Sequence, residues 1–336
     1  MVTTINENTV VETLWDEGAI VIKDEKTPTS VPGIGVNIQD IVMKQWSKKL
    51  NKYIPRNSDA RRNIGYLFAL DAGADVVISL DDDNYPVLSF DTFLDLHCAG
   101  GKLDTTEITS QTDWFNYLAL LDNSREAEIY PRGFPYFARF KEPMEQTTYK
   151  KRKIAINQGL WYGSPDVDAI THLTTPCVIT KKQHVSHLIM SRNTWAPINT
   201  QNTSISKQAM YCYYYFERPF GRHGDIIGGY LARKCIDAMN QRVSYGYPMV
   251  DHRRNKHDYI KDMIAEHIHI INTEKLLPIL RGIKLYSNNY PDLYNELADD
   301  LVETKMWKQG IYDEYTWVRV ADTMHLWVDA VDKVIQ

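Results

Sequence analysis

Three adjacent aspartates, Asp81, Asp82 and Asp83, close the apolar run Val76-Val77-Ile78-Ser79-Leu80. The run reads as a buried strand, and the carboxylates sit at its open end. Neighbouring carboxylates repel one another, so the arrangement is costly unless something positive lies among them. A divalent cation carrying a diphosphate would meet that need, because hard cations take oxygen ligands and bridge to phosphates. On an extended backbone alternate side chains point the same way, so Asp81 and Asp83 can face one ion. An acidic turn after a strand is the plainer alternative, and the triplet alone does not decide between the two.

Other charged groups could join such a site. Arg56, Arg61 and Arg62 precede an apolar helical pattern that Ser58 or Asp59 can cap and that runs to about Asp71. Cations oppose the helix dipole there, so the cluster suggests either a bound anion or a solvated charged turn. Asp166 and Asp168 add two carboxylates after Gly163, although Ser164-Pro165-Asp166 is also good turn chemistry. Asp225 stands at the start of a helix reaching about Met239, where an acid can be a cap or a reactive group. His252 and His257 follow a strand at Val243–Val250 and are candidate metal or phosphate contacts.

The elements that must carry these residues alternate. Val2–Ile5 and Ala19–Ile22 read as strands with a helix at Thr9–Trp15 between them, a unit that implies a parallel sheet. Ligands of such sheets bind beyond the C-terminal strand ends. Thr4 and Asp24 lie at such ends, or else in plain polar loops. Further helices are expected at 38–50 and 114–121, and loops at 129–139 and 193–206. The chain from roughly 270 onward is helical, with breaks expected at Pro278 and Pro291. Two parts follow: an α/β domain over residues 1–270 and a helical C-terminal extension over 271–336.

Composition narrows the class. With 336 residues, 43% apolar and 24% charged, the chain is an ordinary globular one. Its formal net charge of -5 argues against general nucleic-acid binding, which needs a basic surface. No run of about 18 apolar residues suggests a membrane span, and the first residues lack a signal-peptide profile. The four cysteines are widely spaced, which predicts reduced thiols and a cytoplasmic protein.

Several blocks together resemble one family. They are Ile78-Ser79-Leu80-Asp81-Asp82-Asp83, the loop Tyr130-Pro131-Arg132-Gly133-Phe134-Pro135, Gly159-Leu160-Trp161 with Pro165-Asp166-Val167-Asp168, and Gly221-Arg222-His223-Gly224-Asp225. In this order they are similar to the reversibly glycosylated polypeptides, the plant UDP-arabinopyranose mutases, and their bacterial glycosyltransferase-like relatives. The resemblance implies a GT-A type fold, a mixed Rossmann-like sheet flanked by helices. It implies a nucleotide-sugar donor, with a UDP-sugar favoured, and Mn²⁺ or Mg²⁺ as cofactor. Members often assemble, so a homo-oligomer is an expectation.

The resemblance turns the candidate residues into roles. Asp81 and Asp83, with His252 or His257, would hold the cation. Arg61 and Arg62 would clamp phosphate, Thr4 and Asp24 would hold base and ribose, and Asp82 and Trp161 would complete the donor site. Asp225, with Asp168 in reserve, would take the proton from an acceptor hydroxyl. The acceptor itself is unknown. Arg132 matches the family's glycosylated arginine, although Phe134 replaces the tyrosine of that segment. The first expectation is transfer to a separate acceptor. The alternative is a pyranose–furanose mutase with a self-glycosylating arginine.

Overall fold

The computed structural model describes residues 2–4, 19–141, 145–182 and 187–335. The helix expected at Thr9–Trp15 lies outside the described residues. The strands are β1 (Val2–Thr4), β2 (Val21–Lys23), β3 (Val76–Asp81), β4 (Asn84–Pro86), β5 (Lys102–Ser110), β6 (Leu121–Asn123), β7 (Glu145–Gly163), β8 (Ile179–Lys182), β9 (Leu188–Met190), β10 (Asn202–Ser206) and β11 (Arg242–His252). They form one mixed sheet whose main path runs β2-β1-β3-β10-β7-β5-β9-β11-β4.

The parallel start is as the strand–helix–strand spacing implies. β1 pairs parallel with both β2 and β3, Val2 lying opposite Val21 and Leu80. The long β7 changes partners along its length. Its first half pairs antiparallel with β5, and its second half runs parallel to β11. The C-terminal ends of β3, β7 and β11 therefore open on one edge, where ligands of such sheets bind.

Helix α1 spans Val36–Ser47 and α2 spans Arg62–Asp71. The Ser58 hydroxyl caps the 3₁₀ turn Asp59–Arg61 that feeds α2, and Gly73 takes a φ of 86° just beyond its end. Helix α3 covers Phe90–Leu96, α4 Ala169–Thr174 and α5 Gly224–Ala238. The C-terminal helices are α6 (Tyr259–Gly282), α7 (Tyr290–Glu303) and α8 (Glu314–Ile335).

Two stretches differ from expectation. Residues 193–206 do not form one long loop, because β10 inserts at the centre of the sheet between β3 and β7. Its sequence Asn-Thr-Ser-Ile-Ser is polar yet wholly buried. The side chains find partners inside: Asn202 donates to the Leu160 carbonyl at 3.1 Å and Thr203 to the Asn199 carbonyl at 2.7 Å. A polar strand is stable in a core when its groups are hydrogen-bonded, so polarity was a misleading loop signal. The helix expected at 114–121 is only a 3₁₀ turn, Tyr117–Leu120, which leads straight into β6.

The helical C-terminal part is present, and it joins the common core. Helix α8 packs on α1 and α2, and α7 packs on α5. The indole of Trp327 donates to the Met210 carbonyl at 2.8 Å, and Tyr211 donates to Asp332 at 2.7 Å. Helix α6 runs unbroken through Pro278 and across residues 270 and 271, where the sequence suggested a boundary. Pro291 sits in the first turn of α7, the position where a proline costs no hydrogen bond.

Candidate functional site

A polar cavity of about 340 Å³ lies at the edge where β3, β7 and β11 end. Each element delivers side chains to it. β3 ends in Asp81, and the turn into β4 adds Asp82 and Asp83. The segment after β7 adds Asp166, the start of α5 adds Asp225, β11 ends in His252, and the segment after it adds Arg254, Lys256 and His257.

The acidic triplet is not an extended run. The strand stops at Asp81, and Asp82-Asp83 form a turn before Asn84 pairs with His252 of β11. Alternation along a strand therefore does not aim Asp81 and Asp83, but the turn still brings both to the cavity. Their chemistry differs. Asp81 accepts from Arg62 Nη2 at 2.7 Å. Burial, with Asp83 nearby, holds the Asp81 carboxyl above its usual range despite that arginine. Asp83 lies 3.4 Å from Nε2 of His252. Burial pushes the Asp83 carboxyl up, but His252 and the Asn255 amide outweigh it and the net shift is downward.

His252 is oriented from behind. Its Nδ1 lies 2.7 Å from the Ser164 carbonyl oxygen, which can only accept, so Nδ1 carries the proton. The neutral ring then turns the lone pair of Nε2 toward the Asp83 carboxylate. Two electron-rich atoms facing each other need a proton or a cation between them. Burial alone would lower the His252 pKa, yet Asp83 raises it. This imidazole–carboxylate pair fits a divalent cation, and the carbonyl behind the ring is the usual outer support for such a ligand. Among the described residues no group of three or more His, Cys, Asp or Glu side chains could hold a metal ion. Phosphate or water oxygens could complete such a shell, as is common for magnesium.

A second network joins other lining residues of the cavity. Arg132 Nε donates to Asp166 Oδ1 at 2.9 Å, and its Nη1 and Nη2 donate to Asp225 at 3.1 and 2.9 Å. Nη1 also reaches the Arg222 carbonyl. Burial alone would lower the Arg132 pKa, but the two carboxylates raise it well above normal. Asp166 is correspondingly lowered by Arg132 against the effect of burial. Asp225 thus lines the cavity with both oxygens accepting from Arg132. Arg132 is a fully engaged cation, a poor nucleophile.

Several expected residues lie elsewhere. Arg61 is buried and donates to Gln39 Oε1 from Nε and Nη2, away from the cavity. Arg62 lines the cavity, but its guanidinium is engaged by Asp81, the Ser79 hydroxyl and the Thr200 carbonyl. The 3₁₀ turn before α2 explains the split, because it points the two neighbours to different sides. Asp168 is the N-cap of α4, accepting from the Thr171 amide at 2.8 Å, and it pairs with Arg139 at 2.6 Å. Trp161 is wholly buried on β7 against Tyr117. Asp24 accepts from the Ser58 amide at 3.2 Å and pins the loop before α2. Thr4 ends β1, and only its backbone is described. His257 does line the cavity, with Nδ1 2.9 Å from Asp262.

Sequence reasoning missed one cation of the cavity. Arg254 lines the cavity, and its buried Nε makes no hydrogen bond among the described residues. Burial lowers its pKa, and no nearby carboxylate fully offsets that effect. Lys256 and Arg222 also line the cavity. The run Arg253-Arg254-Asn255-Lys256 after a strand was the available signal.

A mixed α/β sheet with helices on its faces and a charged cavity beyond its strand ends defines a GT-A-like protein. The chain belongs to the reversibly glycosylated polypeptide family, whose model matches residues 17–336. Over 269 residues it is 22% identical to "Probable glycosyltransferase STELLO2" of Arabidopsis thaliana, covering 76% of this chain and 35% of that protein. It is 21% identical to "Probable glycosyltransferase STELLO1" of the same plant over 271 residues, covering 76% of this chain and 34% of that protein. The chain spans about a third of the length of these curated relatives.

Proposed function

We propose that this chain is a glycosyltransferase that binds a nucleoside-diphosphate sugar, UDP-linked by preference, with its diphosphate against the Asp83–His252 pair and Arg254. That these groups line one cavity, with His252 Nε2 3.4 Å from Asp83, is the observation that carries the reading. Family membership and the two plant relatives support the glycosyl-transfer chemistry.

Asp83 and His252 would hold Mn²⁺ or Mg²⁺, which supplies positive charge to the departing diphosphate. Arg254 donates to diphosphate oxygens from a forked, always charged group. Lys256 adds a mobile charge at the rim. Arg62 keeps Asp81 in place, and Arg132 fixes Asp166 and Asp225 as a rigid wall. These groups stabilise charge that grows as the glycosidic bond breaks, the term that dominates such reactions. Transfer to a separate acceptor hydroxyl is favoured over self-glycosylation, because every nitrogen of the Arg132 guanidinium is engaged.

The test is thermal stabilisation by a panel of nucleoside diphosphates with and without Mn²⁺, followed by incubation with a UDP-sugar alone. Cation-dependent stabilisation by UDP is expected, with slow hydrolysis and no label on Arg132. Stabilisation independent of any cation would remove the assigned role of Asp83 and His252. Label retained on Arg132, or a ring-isomerised product, would favour the mutase.

A further inference from the structure

A second cavity, of about 380 Å³, lies at the far end of α5. Asp225 in the first turn of α5 lines the first cavity, whereas Lys234 and Asp237 near its end line the second. The helix rise sets the two roughly 15 Å apart. The strands agree with this. β9 ends at Met190, opposite Val243 at the start of β11, and Arg192 just beyond it lines the second cavity. β11 reaches the first cavity only at its last residue, His252. The last turn of α6 adds Arg281 to the second cavity, and the segment between α6 and α7 adds Lys284 and Tyr286.

Four cations line this space, Arg192, Lys234, Arg281 and Lys284, against the single acid Asp237. That acid is already engaged, by Arg233 at 3.0 Å and by the Trp195 indole at 2.8 Å. The cavity is therefore positive in a chain whose net charge is -5. Burial lowers the Lys234 pKa, and Arg281 and Arg192 push it the same way against the pull of Asp237. Like charges held together in a partly buried space cost free energy unless an anion joins them. Part of this charge has a structural use. Lys234 Nζ donates to the Arg281 carbonyl at 2.8 Å, near the end of α6 where a cation suits the helix dipole. Arg281 pairs with Asp113 at 3.1 Å and lies over the Trp195 ring. Arg192 and Lys284 have no such use. Both are exposed, and their side chains make no hydrogen bond or ion pair among the described residues. Lys234 also keeps donors to spare, since an ammonium has three.

We propose that this second cavity binds a phosphorylated small molecule, separately from the donor site, through Arg192, Lys234 and Lys284. A guanidinium and two flexible ammonium groups around one space suit the several oxygens of a phosphate, whereas a lone carboxylate would leave most of the charge uncompensated. The volume lies at the small end of ligand pockets, which suits a small molecule. Tyr286 is 82% exposed and offers a ring on which the organic part of the ligand can lie.

The experiment is isothermal titration of the full chain, in EDTA, with inorganic pyrophosphate and with a hexose 1-phosphate, and circular dichroism of each variant. Both probes are expected to bind. The double variant Arg192→Glu with Lys284→Glu should weaken each about tenfold or more, while the manganese-dependent response to UDP stays as in the wild type. Lys102→Glu with Lys151→Glu changes the net charge equally at exposed positions on β5 and β7 and should leave binding unchanged. Arg254→Gln, in the first cavity, should also leave it unchanged. Absence of binding at millimolar probe overturns the proposal, as does binding that survives the Arg192–Lys284 reversal. An equal loss in the Lys102–Lys151 variant would reduce the effect to general charge and overturn it too. Loss in Arg254→Gln alone would assign the anion to the first cavity. Binding of pyrophosphate without any of the hexose phosphate would restrict the site to inorganic anions and overturn an organic ligand.

Discussion

Arg132 and Asp225 meet in a paired hydrogen bond, Nη1 to Oδ1 at 3.1 Å and Nη2 to Oδ2 at 2.9 Å, with both side chains almost wholly buried. Ninety-three positions separate them in sequence, and Asp166 closes the network from the other side of the same guanidinium. The pair joins the proline-rich loop after β6 to the start of α5. Its effect is to hold one wall of the cavity rigid.

Breaking this pair should cost stability first. Removal of one partner of a buried ion pair leaves an uncompensated charge and costs about 3–5 kcal/mol. Arg132→Ala is expected to lower the denaturation midpoint strongly, and Asp225→Asn to do so less, since the amide keeps an acceptor. Urea unfolding followed by fluorescence measures both. An Asp225→Asn protein as stable as the wild type but unable to transfer sugar would return Asp225 to the role of base.

Arg254→Gln should weaken donor binding without harming the fold. Loss of a charge-assisted hydrogen bond of about 1.5–3 kcal/mol corresponds to a roughly 10- to 100-fold rise in Kd. Isothermal titration with UDP and Mn²⁺ reads this directly. Because the buried Arg254 Nε makes no hydrogen bond among the described residues, the variant is expected to be as stable as the wild type, or slightly more so.

Asp83→Asn should separate cation dependence from nucleotide binding. A ligand at saturation stabilises the native state by ~2–4 kcal/mol. In this variant that stabilisation should fall, and the residual part should no longer respond to Mn²⁺. Differential scanning fluorimetry across a manganese series, then across UDP, gives the answer. Retention of the full manganese response would move the cation elsewhere.

Glu217 should make stability depend on pH near neutrality. Burial, with Asp59 close by, raises its carboxyl from 4.5 to about 7. The native state therefore binds more protons than the unfolded state between these values, and stability falls as pH rises through that window. Because Glu217 is partly solvated, the effect is discounted to about 1–2 kcal/mol. Glu217→Gln is expected to flatten the decline between pH 5 and pH 7.5 and to stabilise the protein at pH 8 by about the same amount. Chemical denaturation at four pH values checks this, and a slope unchanged in the variant would place the titration on another group.

What the sequence determined by itself was local. Apolar runs bounded by Gly73 and by Asp81-Asp82-Asp83 located β3, and Ser58 announced the start of the turn into α2. The ordered acidic and glycine-bearing blocks pointed to the family. β10 was invisible because its buried polar groups bond to distant backbone, and no local pattern records that. The roles of neighbours were equally hidden. Arg61 and Arg62 adjoin in sequence, yet a single 3₁₀ turn sends one to Gln39 and the other to Asp81. Trp161 and Asp168 carried family motifs but were drawn into the core and a helix cap. Only the tertiary structure could pair Asp83 with His252 and Arg132 with Asp225. Charge finds its partner through space, and spacing along the chain sets only which strand end each residue reaches.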